Sequence, residues 1–179
     1  MTTTTENKWV LNENVATALH FVAAKGDLDA CKALKYMAKQ KNKSGKIPLH
    51  LAAEIGHYEI CELLMEDRSV QDNNGCTALH LAAMIGHFAI CKLLSDIHVK
   101  NRFGSTPLHL AAESGHREIC ELFLDYKNEK NNNGYTPLDL ARINKRESVI
   151  QLLSGDRFSM AIDEIQKQID AMKLLLQKK

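Results

Sequence analysis

The sequence has no excess of one charge and no long apolar run. It contains 23 Lys and Arg residues against 22 Asp and Glu residues, which gives a formal net charge of +1. Because nucleic acids and anionic membranes attract proteins mainly through surplus cationic charge, this balance argues against both as partners. No apolar run approaches the ~18 residues that cross a bilayer, so no membrane span is expected.

A secretory start is also missing. The first ten residues, MTTTTENKWV, lack the basic beginning and apolar centre of a signal peptide. The five cysteines are an odd number, unlike the paired sets of small secreted proteins. These features favour a reducing compartment, with the cytoplasm as the default and the nucleus as an alternative. The 45% hydrophobic and 25% charged residues are typical of a folded, soluble chain.

Internal repetition is the strongest feature that is present. Five segments align without gaps, with histidine at the fourth position of the first four and aspartate in the fifth. The segments are TALHFVAAKG (17–26), IPLHLAAEIG (47–56), TALHLAAMIG (77–86), TPLHLAAESG (106–115) and TPLDLARINK (136–145). The aligned residues are His20, His50, His80, His109 and Asp139. Their near-constant spacing indicates five copies of one structural unit.

The fourth segment indicates how each unit folds. Thr106 suits a helix N-cap and Pro107 suits the first helical position, where its missing N–H costs nothing. Gly115 suits the left-handed residue that ends a short helix, and a second helix is predicted after His116. The residues expected on its apolar face are Ile119, Leu122 and Phe123. Neither helix buries its apolar side alone, so neighbouring units are expected to stack.

The T-P-L-H-x-A core with a period near 33 residues is typical of ankyrin repeats, and the chain resembles that family from about Asn12 to Leu153. The resemblance implies an all-α repeat solenoid of stacked helix-turn-helix units. It also implies that the Asn/Asp- and Gly-containing turns before each first helix project as β-hairpin fingers, to which the motif histidines bond. The repeats are about three residues short, so tight or irregular connections are expected after the second helices.

We expect three regions in the chain. They are an N-terminal tail over 1–11, an ankyrin-repeat domain over 12–155 and an amphipathic helix over 156–179. The expected repeats are 15–44, 45–74, 75–103, 104–133 and 134–155. Lys145 replaces the inter-helix glycine of the last repeat, as suits a terminal repeat.

The C-terminal region has its own apolar pattern. Apolar residues recur there at alternating steps of four and three, the stripe of a packed helix. They are Phe158, Ile162, Ile165, Ile169, Met172 and Leu176. Two interpretations stay open: the helix covers the exposed side of the last repeat, or it pairs with a partner or a second copy through heptad packing.

Cysteine and histidine do not predict a catalytic site. Four cysteines, at 31, 61, 91 and 120, each lie 11 residues after a motif histidine and so occupy one repeated core position. Helices packed ~8–10 Å apart place such copies too far apart for a disulfide or a shared zinc ion. No enzymatic activity, metal or cofactor is expected. Cys76 lies in a finger, where we expect it to be exposed and the most reactive thiol.

The remaining histidines and the lysine run are expected to have mainly structural roles. His57, His87 and His116 follow the inter-helix glycines and are expected to bond across loops between repeats. The lysines at 35, 39, 41, 43 and 46 are interpreted as a solvated face, with a patch for an acidic partner or RNA as the alternative.

Function is expected at positions that vary between repeats, because packing fixes the others. In ankyrin proteins, the first-helix ends and finger tips commonly line a concave protein-binding surface. The candidate partner-binding residues are Lys46, Glu54, Ile55, Met84, Ile85, Arg102, Phe103, Glu113 and Tyr135. An apolar, aromatic centre with a charged rim is typical of an interface. The alternative is that Ile55 and Ile85 pack partly between repeats.

The predicted function is therefore a non-catalytic protein–protein interaction module that scaffolds, recruits or inhibits a partner protein. The alternative is an oligomeric assembly subunit driven by the helix over 156–179. Ankyrin proteins act in eukaryotic signalling and transcription control and as effectors of intracellular bacteria. The resemblance leaves the pathway and the source open, including secretion as such an effector.

Overall fold

The computed structural model describes residues 17–95 and 99–155, together with Ile165, Gln168, Ile169 and Met172. These described residues hold ten α-helices and no strand. The predicted N-terminal tail lies outside them, as does the predicted C-terminal helix apart from the four isolated residues, each of which is helical. The all-α class predicted from the repeat is confirmed.

Each repeat contributes two short helices. The first helices are α1 (Ala18–Lys25), α3 (Pro48–Ile55), α5 (Ala78–Ile85), α7 (Pro107–Ser114) and α9 (Pro137–Ile143). The second helices are α2 (Leu28–Ala33), α4 (Tyr58–Leu64), α6 (Phe88–Leu94), α8 (Arg117–Leu122) and α10 (Glu147–Ser154). The tight connections predicted after the second helices are present as 3-10 helices at Lys35–Met37, Met65–Asp67 and Leu124–Tyr126.

The described chain forms two compact units. One comprises residues 17–82, 87–95 and 99–102, and the other comprises the end of α5, residues 83–86, with residues 103–155. In the first unit, α1 packs on α2 and α3, while α4 packs on α2, α3 and α6. In the second unit, α7 and α10 each pack on both α8 and α9.

Helix α7 begins and ends at the predicted residues. Thr106 is extended, Pro107 is the first helical residue, and Gly115 ends the helix in the left-handed region at φ +93°. In α8, Ile119 is buried as expected, but the prediction for Leu122 is wrong because its side chain is exposed. At about 3.6 residues per turn, Ile119, Cys120 and Phe123 share one face, and Leu122 lies off it. Cys120 takes the buried position instead.

The fingers are tight turns, and the β-hairpins expected there contain no strand in the part of the chain that is described. In the first turn, the N–H of Gly45 donates to the backbone oxygen of Asn42, and the N–H of Asn42 donates to that of Lys46, both at 2.9 Å. The Asn42 side-chain oxygen accepts the N–H groups of Ser44 and Lys46 at 3.0 Å. Because a side chain takes the N–H that a strand pair needs, the ladder does not extend.

Candidate functional site

Three motif histidines, His20, His50 and His109, join their first helix to the next finger, as predicted. The Nε2–H of His109 donates to the backbone oxygen of Tyr135 at 3.1 Å, so Nδ1 is the acceptor nitrogen. That Nδ1 accepts the N–H of Thr106 at 3.2 Å and its hydroxyl at 2.8 Å. Equivalent Nε2–H bonds join His20 to Lys46 at 2.8 Å and His50 to Cys76 at 3.0 Å.

Burial disfavours the protonated form of two of these imidazoles, His20 and His50. His20 and His50 are fully buried, and burial lowers the pKa of both below the ordinary value of 6.5. For His50, the bond to the Cys76 carbonyl raises the pKa, but by less than burial lowers it. Its Nδ1 accepts the N–H of Ile47 at 3.3 Å. A proton added to Nδ1 would therefore face another donor, so the cation does not fit this site.

A second set of histidines bonds back to the preceding first helix, which confirms the prediction for His57, His87 and His116. Their Nε2–H groups donate to the backbone oxygens of Ala24, Glu54 and Met84, each at 3.1 Å. A Cβ at Gly56 would lie 2.7 Å from Cε1 of His87, so the ring needs a glycine beneath it. Gly56 also has φ +102°, where side chains are strained.

These bonds fix the backbone of the candidate partner-binding residues. Backbone atoms of seven of the nine form a hydrogen bond with a neighbouring repeat. The seven are Lys46, Glu54, Met84, Arg102, Phe103, Glu113 and Tyr135. For example, the Phe103 oxygen accepts the N–H of Asn132 at 3.0 Å, and the Glu113 oxygen accepts Nε–H of Arg146 at 2.9 Å. The repeated residues thus hold the variable ones in place.

In the second unit, the side chains at these positions are mainly apolar and exposed. The exposed fractions are 37% for Met84, 46% for Ile85, 63% for Phe103 and 43% for Tyr135. Glu113 is exposed as well. Exposed aromatic side chains on a fixed backbone are suited to protein contacts, because little conformational freedom is lost when they bind.

Ile143 belongs with this set, although the sequence prediction did not include it among the candidate residues. Its side chain is 59% exposed at the end of α9. The sequence could have predicted this exposure, because Ile143 aligns with Glu54, Met84 and Glu113 at the first-helix ends of other repeats.

In the first unit, the candidate residues are more polar. Nζ of Lys46 lies 2.7 Å from Oε2 of Glu54, in a half-buried ion pair. Arg102 is exposed. The side chain of Ile55 is 49% exposed, and that of Ile85 in the second unit is 46% exposed, so about half of each faces solvent and the covered half is compatible with partial packing between repeats.

The four repeated cysteines are core residues. Cys31, Cys61, Cys91 and Cys120 are fully buried. Burial raises the pKa of Cys31 to about 11 and that of the other three thiols to about 12. They are protonated at neutral pH and behave as small apolar side chains.

The predicted exposure of Cys76 is wrong, whereas its rank as the most reactive of the five thiols stays a prediction. This thiol is half-buried, and its Sγ accepts Nδ2–H of Asn101 at 3.7 Å. Burial raises its pKa above the ordinary value. Since the thiolate is the reactive form, the finger environment makes Cys76 less reactive than an exposed thiol.

The lysine run contacts the second repeat. Its ion pairs join Lys35 to Glu66 at 3.6 Å and Lys39 to Asp67 at 3.9 Å. Nζ of Lys41 donates to the backbone oxygen of Gln71 at 2.9 Å. Exposed pairs of this kind stabilise a fold by at most ~1 kcal/mol each. Because lysines of this run are paired with acidic residues, they present less positive potential to RNA. The structure therefore does not favour the RNA-binding alternative.

Comparison with protein families decides the classification. The sequence profile described as Ankyrin repeats (3 copies) matches four overlapping ranges, residues 5–70, 19–101, 65–127 and 93–164. The chain belongs to the ankyrin-repeat family. Ankyrin repeats are generally protein–protein interaction modules and typically non-catalytic. A comparison with curated proteins finds no match. Within its described residues, this ankyrin protein has no helix with the length and apolar character needed to cross a membrane.

Proposed function

We propose that the chain is a non-catalytic module that binds a partner protein through its first-helix ends and finger tips. One observation carries the proposal: bonds between repeats fix the backbone of positions whose side chains vary and are exposed. By contrast, Leu108, Ala111 and Ala112 occupy repeated positions and are fully buried. The fold therefore separates residues that build the array from residues free to contact a partner.

The centre of the proposed interface is the set Met84, Ile85, Phe103 and Tyr135, with Ile143 added from the structure. Aromatic and Met side chains are enriched at interfaces, and a few such anchors supply most of the binding energy. Because the backbone is already ordered, binding costs less conformational entropy than it would on a flexible loop. Such a surface suits scaffolding, recruitment or inhibition of the partner.

The proposed compartment is the cytoplasm. Free thiols persist in reducing compartments, and five free cysteines, four of them buried, support this assignment. Regulation of a signalling partner is the corresponding proposed role.

Affinity capture with matched variants tests this function. Wild-type protein, a quadruple variant (M84A, I85A, F103A, Y135A) and a control variant (Y58A, F88A, L122A) serve as bait. The control removes exposed apolar side chains from the second helices. A partner retained by wild type and the control but lost from the quadruple variant supports the proposal. Retention of every captured protein by a folded quadruple variant contradicts it.

Self-association through residues 156–179 is the second candidate. The observation that favours it is the exposure of Ile165, Ile169 and Met172, which are helical and belong to the predicted apolar stripe. A helix that covered the last repeat through this stripe would bury these side chains. Light scattering at several concentrations tests the candidate, with the triple variant I165N, I169N, M172N as the comparison. Self-association requires a mass that rises with concentration only in wild type.

A further inference from the structure

Two finger turns contain the dipeptide Asn-Gly: Asn74–Gly75 and Asn133–Gly134. Both asparagine side chains are exposed. At Asn-Gly, the backbone nitrogen of the glycine can attack the side-chain carbonyl carbon of the asparagine, because glycine has no Cβ to obstruct the approach. Glycine also gives the backbone the freedom that ring closure needs. The two turns share this chemistry, so their surroundings decide which one reacts.

The turn at Asn74 is held by a neighbouring repeat. The backbone oxygen of Asn74 accepts the N–H of Arg102 at 2.9 Å, and that of Gly75 accepts Nε2–H of Gln71 at 2.7 Å. Gly75 is buried, and a Cβ there would lie 2.8 Å from the Arg102 nitrogen. Movement of this peptide group therefore requires separation of two adjacent fingers.

The turn at Asn133 lies in the last repeat and has no such neighbour among the described residues. Gly134 is exposed, and a Cβ built there would meet nothing within 4 Å. The N–H of Asn133 donates to the side-chain oxygen of Asn131, and the N–H of Gly134 donates to the Asn131 backbone oxygen, both at 3.0 Å. In the described part of the chain, the hydrogen bonds found at this dipeptide lie within its own turn, so local opening costs less than at Asn74.

We propose that Asn133 is a site of spontaneous deamidation. The backbone nitrogen of Gly134 forms a bond to Cγ of Asn133, the Cγ–Nδ2 bond breaks, and the Gly134 amide proton leaves with the departing nitrogen as ammonia. Water then opens the five-membered succinimide at either carbonyl, which gives aspartate or isoaspartate. No oxidant or reductant takes part. The product carries a new negative charge two residues before Tyr135 which, if the proposed function holds, lies at the edge of the partner-binding surface.

Ageing of the full chain in ¹⁸O-labelled water at neutral pH tests the proposal without any partner. Peptide mapping follows label uptake separately at positions 74 and 133. One extra hydrogen bond at Asn74 corresponds to a rate ratio of about fivefold, so uptake at Asn133 should be faster by at least about that factor. In denaturant the two rates should converge, because the difference arises from the fold.

The variant N133Q serves as a control, since the longer side chain must close a six-membered ring and reacts far more slowly. It should abolish uptake at position 133 and leave position 74 unchanged. Equal rates in the folded protein, or faster uptake at Asn74, overturn the proposal. So does the absence of label at Asn133 after a time in which the denatured chain reacts fully. A rate difference that persists in denaturant overturns the structural explanation.

Discussion

The last repeat differs from earlier repeats at two positions: the one that a motif histidine occupies elsewhere, and the one that the inter-helix glycine occupies elsewhere. In earlier repeats, His20, His50 and His109 each accept a bond from their own helix start and donate one to the next finger. Asp139 keeps only the first role: its Oδ2 accepts the N–H of Thr136 at 2.9 Å and its hydroxyl at 2.7 Å. The hydrogen bonds from Thr136 lower the pKa of Asp139 below its usual range. The motif residue therefore has two separate roles. Capping of its own helix is kept in the last repeat, whereas the hydrogen bond to a following finger is found, among the described residues, only in earlier repeats.

The position between the two helices of a repeat also differs between the last repeat and earlier ones. Gly26, Gly56 and Gly86 each lie beneath the histidine ring of the next repeat, and Gly115 lies beneath Arg146. Lys145 occupies this position in the last repeat, with φ +54°. Its Cβ would meet the ring of any further repeat that stacked in the same way. This supports our proposal that the repeat domain ends near residue 155.

The largest predicted effect is at His109. The substitution H109A leaves the Thr106 N–H and the Tyr135 oxygen without their buried partner, so we expect the free energy of unfolding to fall by about 3 kcal/mol. The matched variant D139A removes only a helix cap and should cost about 1 kcal/mol. Urea unfolding measures both. Equal losses at the two positions would show that linkage contributes nothing beyond capping.

The second predicted effect is at Gly56. The variant G56A forces a side chain into the left-handed region and pushes Cβ against His87, which should cost about 2 kcal/mol. Thermal unfolding with a guanidinium series measures the loss. The control is the double variant G56A, H87A compared with H87A, because both lack the ring and its bond to Glu54 and differ only in the backbone strain at position 56. A loss in G56A no larger than the ~1 kcal/mol of strain alone speaks against contact with the ring.

The helices were predictable because their signals are local. Thr106, Pro107 and Gly115 mark a start and an end within ten residues of each other, and the other four aligned segments each repeat part of that pattern. Residues whose environment comes from another repeat were not predictable in this way. The hydrogen bond to the Cys76 thiol comes from Asn101, and the ion pair of Lys35 needs Glu66. The exposure of Ile143 follows from its aligned position and was within reach of the sequence.

The third prediction concerns acid. The folded pKa of His20 and His50 lies below 6.5, so below pH 6.5 the unfolded chain binds more protons than the folded chain. The free energy of unfolding should therefore be highest above pH 6.5 and fall as the pH drops through the folded pKa values. Urea unfolding across this range measures it, with H50Q as a comparison that should flatten the slope. A wild-type stability that stays constant below pH 6.5 argues against buried neutral histidines.

The smallest predicted effect is a gain. K145G replaces a lysine whose backbone is left-handed, at φ +54°, and should raise the free energy of unfolding by about 1 kcal/mol. The reverse substitution at the aligned position of the fourth repeat, G115K, should destabilise the protein because the Arg146 side chain covers that glycine. Thermal unfolding of the pair compares the two positions directly. Destabilisation by K145G would mean that Lys145 makes a stabilising contact of its own.

We propose that hydrogen bonds between repeats hold the variable side chains in position to bind a partner protein. Calorimetric titration of the captured partner into the quadruple variant M84A, I85A, F103A, Y135A tests it most directly, with Y58A, F88A, L122A as the control. We predict a loss of about 2 kcal/mol or more in binding free energy for the quadruple variant, with unfolding little changed. The control should lose less than about 0.5 kcal/mol. Equal affinities for wild type and a folded quadruple variant would contradict the account.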